Sequence, residues 1–250
     1  MTVRSDVRGP ALWLTIDREE RRNALSAEVI EGLVEGLSRG DARVVVITGA
    51  GERAFCAGGD LEGFARAARG ESPPAAIARL MRALRECPRP VIARVNGLAL
   101  GGGFGLLLGC DLAIAAGDAE LGTPEIDLGL WPHVITVAIQ RNVPRKVALE
   151  LMLTGRRIGA ADAARWGIVN RAVPRADLDR AVEEMVEELA GKSAHVLALG
   201  KESYRGAEDL PWDEAVAYLT EMLARNIQAE DLREGVQAFF EKRAPDWRDR

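Results

Sequence analysis

Hydrophobic and polar positions change period along the chain, and the changes mark its elements. "ALWLTID" (residues 11–17) reads as a strand. "SAEVIEGLVEGLSRG" (26–40) carries helical spacing, with Ser26 as a candidate N-cap, Glu28 in the first turn and Gly40 past the end. "RVVVITG" (43–49) is a continuous β-branched run, as expected of a strand covered on both faces. "RAARGESPPA" (66–75) reads as a mobile loop. Ile77, Leu80, Met81 and Leu84 then mark one face of a helix, and "PVIARVNG" (90–97) returns as a strand. Strand, helix, strand, helix, strand predicts an α/β fold with parallel pairing.

The pattern changes near residue 175, after which no strand is predicted. Three apolar stripes follow: Val182, Met185, Val186 and Leu189; Val216, Leu219 and Leu223; Leu232, Val236, Phe239 and Phe240. They read as amphipathic helices with no sheet to cover, free to fold back on the core or to pack on another subunit.

Composition narrows the chemistry. The 250 residues are 48% hydrophobic and 28% charged, with a net charge of −5. That suffices for one large core, and no basic face points to nucleic acid. Cys56, Cys87 and Cys110 are widely spaced in apolar surroundings, which reads as buried free thiols in a reducing cytoplasm. The two histidines form no cluster with them, so no metal site is expected. "MTVRSDVRGPALWLTID" lacks the apolar core of a signal peptide, and no run is long enough to span a membrane.

Two motifs fail on context. "GLSRG" (36–40) matches G-x-S-x-G, but it ends a helix instead of opening one after a strand. "TGAGERA" (48–54) resembles a dinucleotide fingerprint, yet "FCAGGD" behind it is a poor helix start.

Two bare-backbone turns remain, "FCAGGD" (55–60) and "GLALGGGFGLLLGCD" (97–111). The second precedes an apolar segment that reads as a buried helix. N–H groups at a helix start favour negative charge, and two turns giving one N–H each would make an oxyanion hole. Taken alone, both segments are equally readable as tight turns.

Six segments in order remove that ambiguity: "RRNALS" (21–26), "AFCAGGDL" (54–61), "NGLALGGGFGLLLGCDLAIA" (96–115), "LGTPEIDLGLWP" (121–132), "LTGRRIGAADAARWGIVNRAVP" (153–174) and "AFFEKRAP" (238–245). Together they resemble the enoyl-CoA hydratase/isomerase, or crotonase, superfamily over nearly the whole chain. The resemblance implies a spiral of ββα units, here residues 1–190, and a helical oligomerisation region, here 191–250. It implies a homotrimer or dimer of trimers. It also implies acyl-CoA thioester substrates and no cofactor beyond the coenzyme A of the substrate.

The resemblance assigns the oxyanion N–H groups to Gly59 and Gly102. Loss of one such donor costs about 3 kcal/mol of barrier. It places Arg22, Ala24, Ala57, Asp60 and Leu61 along the coenzyme A. Phe239 and Lys242 would approach the nucleotide end from a neighbouring subunit.

Hydratases of the family carry two glutamates. At their positions this chain has Gly105 and Glu125. One carboxylate can still move a proton between C2 and C4 through a dienolate, so double-bond isomerisation is expected ahead of hydration. Burial beside Leu121, Ile126 and Trp131 would raise the Glu125 pKa. Gly105→Glu would restore the pair if the helix tolerates the volume. His133 could reach the site from the segment around Trp131 and Pro132, but reads first as a loop histidine on the outside, and Asp127 reads as structural. A non-catalytic acyl-CoA binder and a thioester hydrolase of the same fold remain as alternatives.

Overall fold

The computed structural model describes residues 2–60 and 75–250. The loop expected at 66–75 lies outside them except for Ala75, which opens a helix. Leu61 also lies outside them.

The chain begins with β1 (Val3–Arg8), β2 (Ala11–Ile16), α1 (Ala27–Ser38), β3 (Val44–Gly49) and β4 (Ala54–Cys56). Next come α2 (Ala75–Glu86), β5 (Val91–Val95), β6 (Leu98–Leu100), α3 (Gly102–Gly109), β7 (Leu112–Ala116) and β8 (Glu120–Gly122). A 3-10 turn at Pro124–Leu128 leads to α4 (Thr136–Asn142), α5 (Arg145–Thr154), β9 (Arg157–Gly159), α6 (Ala160–Arg165) and β10 (Arg171–Val173). The last strand is followed by α7 (Leu178–Ala190), α8 (Ala194–Ala207), α9 (Trp212–Ile227) and α10 (Glu230–Glu241).

Two sheets result, one ordered β1-β2-β3-β5-β7-β10 and a smaller one ordered β4-β6-β8-β9. From β2 to β10 the larger sheet is parallel, and β1 joins its edge antiparallel to β2. The pairs β3/β4, β5/β6 and β7/β8 each place one strand in the larger sheet and the next in the smaller. That alternation is the ββα spiral expected from the motifs. Ser26 caps α1 by accepting from the Val29 N–H. "GLSRG" ends that helix, and "TGAGERA" leads into β4, not a helix.

Strands β2 and β3 of the larger sheet are buried on both faces, which accounts for the unbroken apolar run of β3. Leu12, Leu14, Val45 and Ile47 pack in one core with residues of α1, α2 and α3. Trp13, Val44, Val46, Ile92 and Ile114 meet Leu178, Ala181, Val182 and Val186 of α7. The first C-terminal stripe therefore does have a sheet to cover, contrary to the expectation. Parallel strands require both faces covered, and α7 supplies the second cover. The other two stripes differ: Val216, Leu219, Leu223, Val236, Phe239 and Phe240 stay exposed on α9 and α10. No described helix is long and apolar enough to cross a membrane.

Candidate active site

The two bare-backbone turns come together. β4 ends at Cys56, and the chain turns through Gly58, whose φ is +110°. Residues 22–25 run beside this turn: Ala57 N–H donates to Arg22 O (3.0 Å), Leu25 N–H to Gly58 O (2.8 Å) and Asp60 N–H to Leu25 O (3.1 Å). Leu25 and Gly59 thus form a parallel bridge, which leaves the Gly59 N–H directed away from Leu25.

The second turn arrives from β6. Gly101 holds φ +53° as the N-cap of α3, a conformation disfavoured for other residues. Gly102 follows at the first helical position, where an N–H has no intrahelical acceptor. A Cβ on Gly102 would lie 3.4 Å from the Gly59 nitrogen, so the turns adjoin. Gly103 permits the approach, since a Cβ there would stand 2.7 Å from the Cys56 carbonyl carbon.

Two buried asparagines that the sequence reading passed over hold this arrangement. Asn23 Nδ2 donates to Ala50 O (3.0 Å) and Ala54 O (2.7 Å), and its Oδ1 accepts from Arg18 N–H (3.1 Å). Asn96 Nδ2 donates to Gly49 O (3.0 Å) and Gly51 O (2.7 Å). Both side chains clamp the 49–54 turn that launches β4. Their signal in the sequence was an asparagine inside each of two quoted motifs, "RRNALS" and "NGLALGGG".

Glu125 sits in the 3-10 turn after β8, against Gly101: its Oε1 is 2.8 Å from where a Gly101 Cβ would be. Gly59, Gly101, Gly102 and Glu125 line one cavity of about 330 Å³ with Trp131 and Ile135. Desolvation in this apolar wall raises the Glu125 pKa, and a hydrogen bond from its own backbone N–H offsets part of that. Its Oε2 is buried without a hydrogen-bond partner. Of the residues expected to bury it, Trp131 lines the cavity, Leu121 lies in the core, and Ile126 is exposed. A carboxylate so placed can take up and return a proton beside the adjoining Gly59 and Gly102 turns.

His133, read first as an outside loop residue, does reach the site. It lines the same cavity while remaining exposed on its other side, because Pro132 and Ile135 are buried to either side of it. Asp127 is exposed and does not line the cavity. Gly105 is buried in α3 next to Ile135, whose Cβ would be 2.7 Å from a Cβ at residue 105. The condition set on Gly105→Glu, that the helix tolerate the added volume, is therefore not met while Ile135 packs there.

The residues expected along coenzyme A divide. Arg22, Ala24, Ala57 and Asp60 cluster at the paired 22–25 and 57–60 segments. Arg22 has φ +51° and an exposed side chain. Asp60 forms an ion pair with Arg18 at 3.2 Å, whose guanidinium also donates to Ala24 O at 3.0 Å. Phe239 and Lys242 lie at the end of α10 and do not line the Glu125 cavity of their own chain. The exposed Phe239 ring meets Phe240 edge-on at 5.8 Å.

A model of the enoyl-CoA hydratase/isomerase family matches residues 10–250. The chain belongs to the enoyl-CoA hydratase/isomerase family. A carnitinyl-CoA dehydratase of Salmonella typhi is 37% identical over 256 residues, covering 97% of this chain and 96% of that relative. Among solved structures, an enoyl-CoA hydratase from Bacillus anthracis superposes with a TM-score of 0.93 at 33% identity over the full length of both chains. One from Mycobacterium smegmatis gives 0.92 at 34% identity over 99% of each. Membership in the enoyl-CoA hydratase/isomerase family thus spans the ββα spiral and the C-terminal helices alike.

Proposed function

We propose that the protein acts on acyl-CoA thioesters through an enolate, with Glu125 as its single acid/base. The observation that carries this is the cavity in which a partly desolvated carboxylate adjoins the Gly59 and Gly102 turns. The two N–H groups hold the thioester oxygen. Negative charge that develops there is favoured by the N-terminus of α3. Glu125 removes the C2 proton of a Δ3-enoyl thioester, which gives a dienolate. Return of that proton to C4 yields the Δ2-enoyl thioester, with no water consumed. Coenzyme A belongs to the substrate, and no further cofactor takes part.

A second reading is reversible addition of water across a Δ2 double bond. It is favoured by the relatives, which are named carnitinyl-CoA dehydratase and enoyl-CoA hydratase, and by His133 on the cavity wall. In that case Glu125 still exchanges the C2 proton, and His133 orients the water at C3. Turnover of a Δ3-enoyl-CoA and a Δ2-enoyl-CoA, measured side by side, separates the two. Rapid Δ3-to-Δ2 conversion with slow hydration supports the shuttle. Rapid hydration with an untouched Δ3 substrate refutes it. Tight coenzyme A thioester binding with no turnover of either would leave a non-catalytic binder, and release of free thiol would mark a hydrolase.

The exposed apolar faces of α9 and α10 support a homotrimer or dimer of trimers. Arg22, Ala24, Ala57, Asp60 and Leu61 would then meet coenzyme A within one subunit, and Phe239 and Lys242 would reach a neighbour's. Sedimentation showing a stable monomer with full coenzyme A affinity would refute this. The three free cysteines suit a reducing cytoplasm.

A further inference from the structure

We infer that Ile135 decides which reaction this site performs. It fills, from the start of α4, the room that a carboxylate on residue 105 would need in order to join Glu125 at the cavity. This rests on the acyl-CoA reading with Glu125 as acid/base.

The backbone of Ile135 is pinned. Its carbonyl accepts from the Ala138 and Ile139 N–H groups, both at 3.0 Å, which starts α4. One residue on, Thr136 ties back to Pro132 O through its N–H (3.0 Å) and its Oγ1 (2.8 Å). At the other end of α4, Asn142 Nδ2 donates to Leu108 O of α3 at 3.3 Å. The two helices are thus held together where Gly105 and Ile135 face each other.

A Cβ on residue 105 would lie 2.7 Å from Ile135 Cβ and 3.5 Å from its Cδ1. Nearer still is Ile135 Cγ2; this methyl and the branch point that carries it are fixed by χ1 of a stiff β-branched side chain, so neither swings aside as the δ tip could. Ile135 is 3% exposed and also lines the cavity. One side chain therefore packs on Gly105 and presents methyl groups to the space beside Glu125.

Those methyl groups hold no water. A hydrating site needs a second polar group near the reacting carbons, and on the wall that faces Gly105 Ile135 offers none. The side chains of isoleucine and glutamate are of similar bulk. Moving bulk from position 135 to position 105 is therefore close to volume-conserving, whereas adding it at 105 alone is overpacking.

The test uses the full-length protein as wild type, Gly105→Glu, Ile135→Gly and the double variant. Each is assayed on a Δ2-enoyl-CoA and a Δ3-enoyl-CoA and followed by thermal unfolding. The double variant should raise the hydration-to-isomerisation ratio by roughly 100-fold, the lower range of what a positioned proton-transfer group contributes. Neither single variant should move that ratio as much as about tenfold. Gly105→Ala adds only a Cβ and serves as the stability probe. It should lower the melting temperature of the wild type and leave that of Ile135→Gly unchanged.

Two results would overturn the inference. One is a rise of the ratio in Gly105→Glu alone with an unchanged melting temperature. The other is a folded double variant, inactivated by Glu125→Gln, that keeps the wild-type ratio. If the double variant does not fold, a melting temperature unmoved by Gly105→Ala in both backgrounds would equally refute it. A wild type that turns over neither thioester removes the acyl-CoA reading itself, and the Gly105→Ala pair then still reports whether Ile135 fills the room.

Discussion

Replacing Glu125 by glutamine should destroy turnover and stabilise the fold. The side chain carries a raised pKa caused first by desolvation, and its Oε2 is buried with no partner. A raised carboxylate pKa means that the folded state prefers the protonated form. The ionised side chain therefore costs stability above the folded-state pKa. That cost lifts as pH falls through it and is gone near the ordinary value of 4.5 and below. Glutamine matches the size and removes the charge, but it leaves a polar atom in the same unpartnered place. An unpaired buried polar atom costs about 1–3 kcal/mol, so relief of the charge alone belongs at the lower end, about 1 kcal/mol. In a chain of this size that raises the melting temperature by roughly 2–4 °C. Turnover should fall by at least about 100-fold, because the amide cannot carry the proton at neutral pH.

The assay pairs kcat/KM on the better thioester with thermal unfolding of both proteins from pH 8 to pH 4.5. The stability advantage of Glu125→Gln should be greatest at pH 8 and shrink towards pH 4.5. A variant that melts lower than wild type by the same amount at every pH would make Glu125 a structural anchor. Activity retained within tenfold would remove it as the proton carrier.

Gly102→Pro deletes one oxyanion donor at a first helical position, where proline is otherwise tolerated. It should lower kcat/KM by about 100- to 1000-fold with little loss of coenzyme A affinity in a binding titration; equal losses of both would make the turn merely structural. Asn23→Ala removes the side-chain donor of the Ala50 carbonyl and the shorter of two at Ala54, where Asn96 Nδ2 remains at 3.2 Å, and should cost about 2 kcal/mol in chemical denaturation, with a fall in kcat/KM as the Gly59 turn loosens. Cys56, whose thiol is pushed up to about 12 by burial, should resist a thiol reagent at pH 8 in the native protein and react at once when unfolded.

Much of this was legible along the chain because local patterns carry it. The apolar runs of β2, β3 and β5 and the face of α2 declare themselves by period and by β-branched content. Glu125, Gly59 and Gly102 were reached through motif order, and the fold places all three on one cavity. The three-residue strands β4, β6, β8, β9 and β10 were not legible, since three residues are too short to show alternation. The edge strand β1 was missed because, apart from Val3, it is exposed and mostly polar.

The sequence by itself determined the α/β class, the parallel core and the family, because strand and helix periods and ordered motifs survive in one dimension. Only the tertiary structure decided what stands next to what. It put α7 on the second face of the sheet, Asn23 and Asn96 under the turns, and His133 on the cavity wall. It also seated Ile135 against Gly105, thirty residues away in the chain, where the absence of a Cβ on one helix matches a branched side chain at the start of another. That complementarity is a property of packing between elements, and no local pattern encodes it.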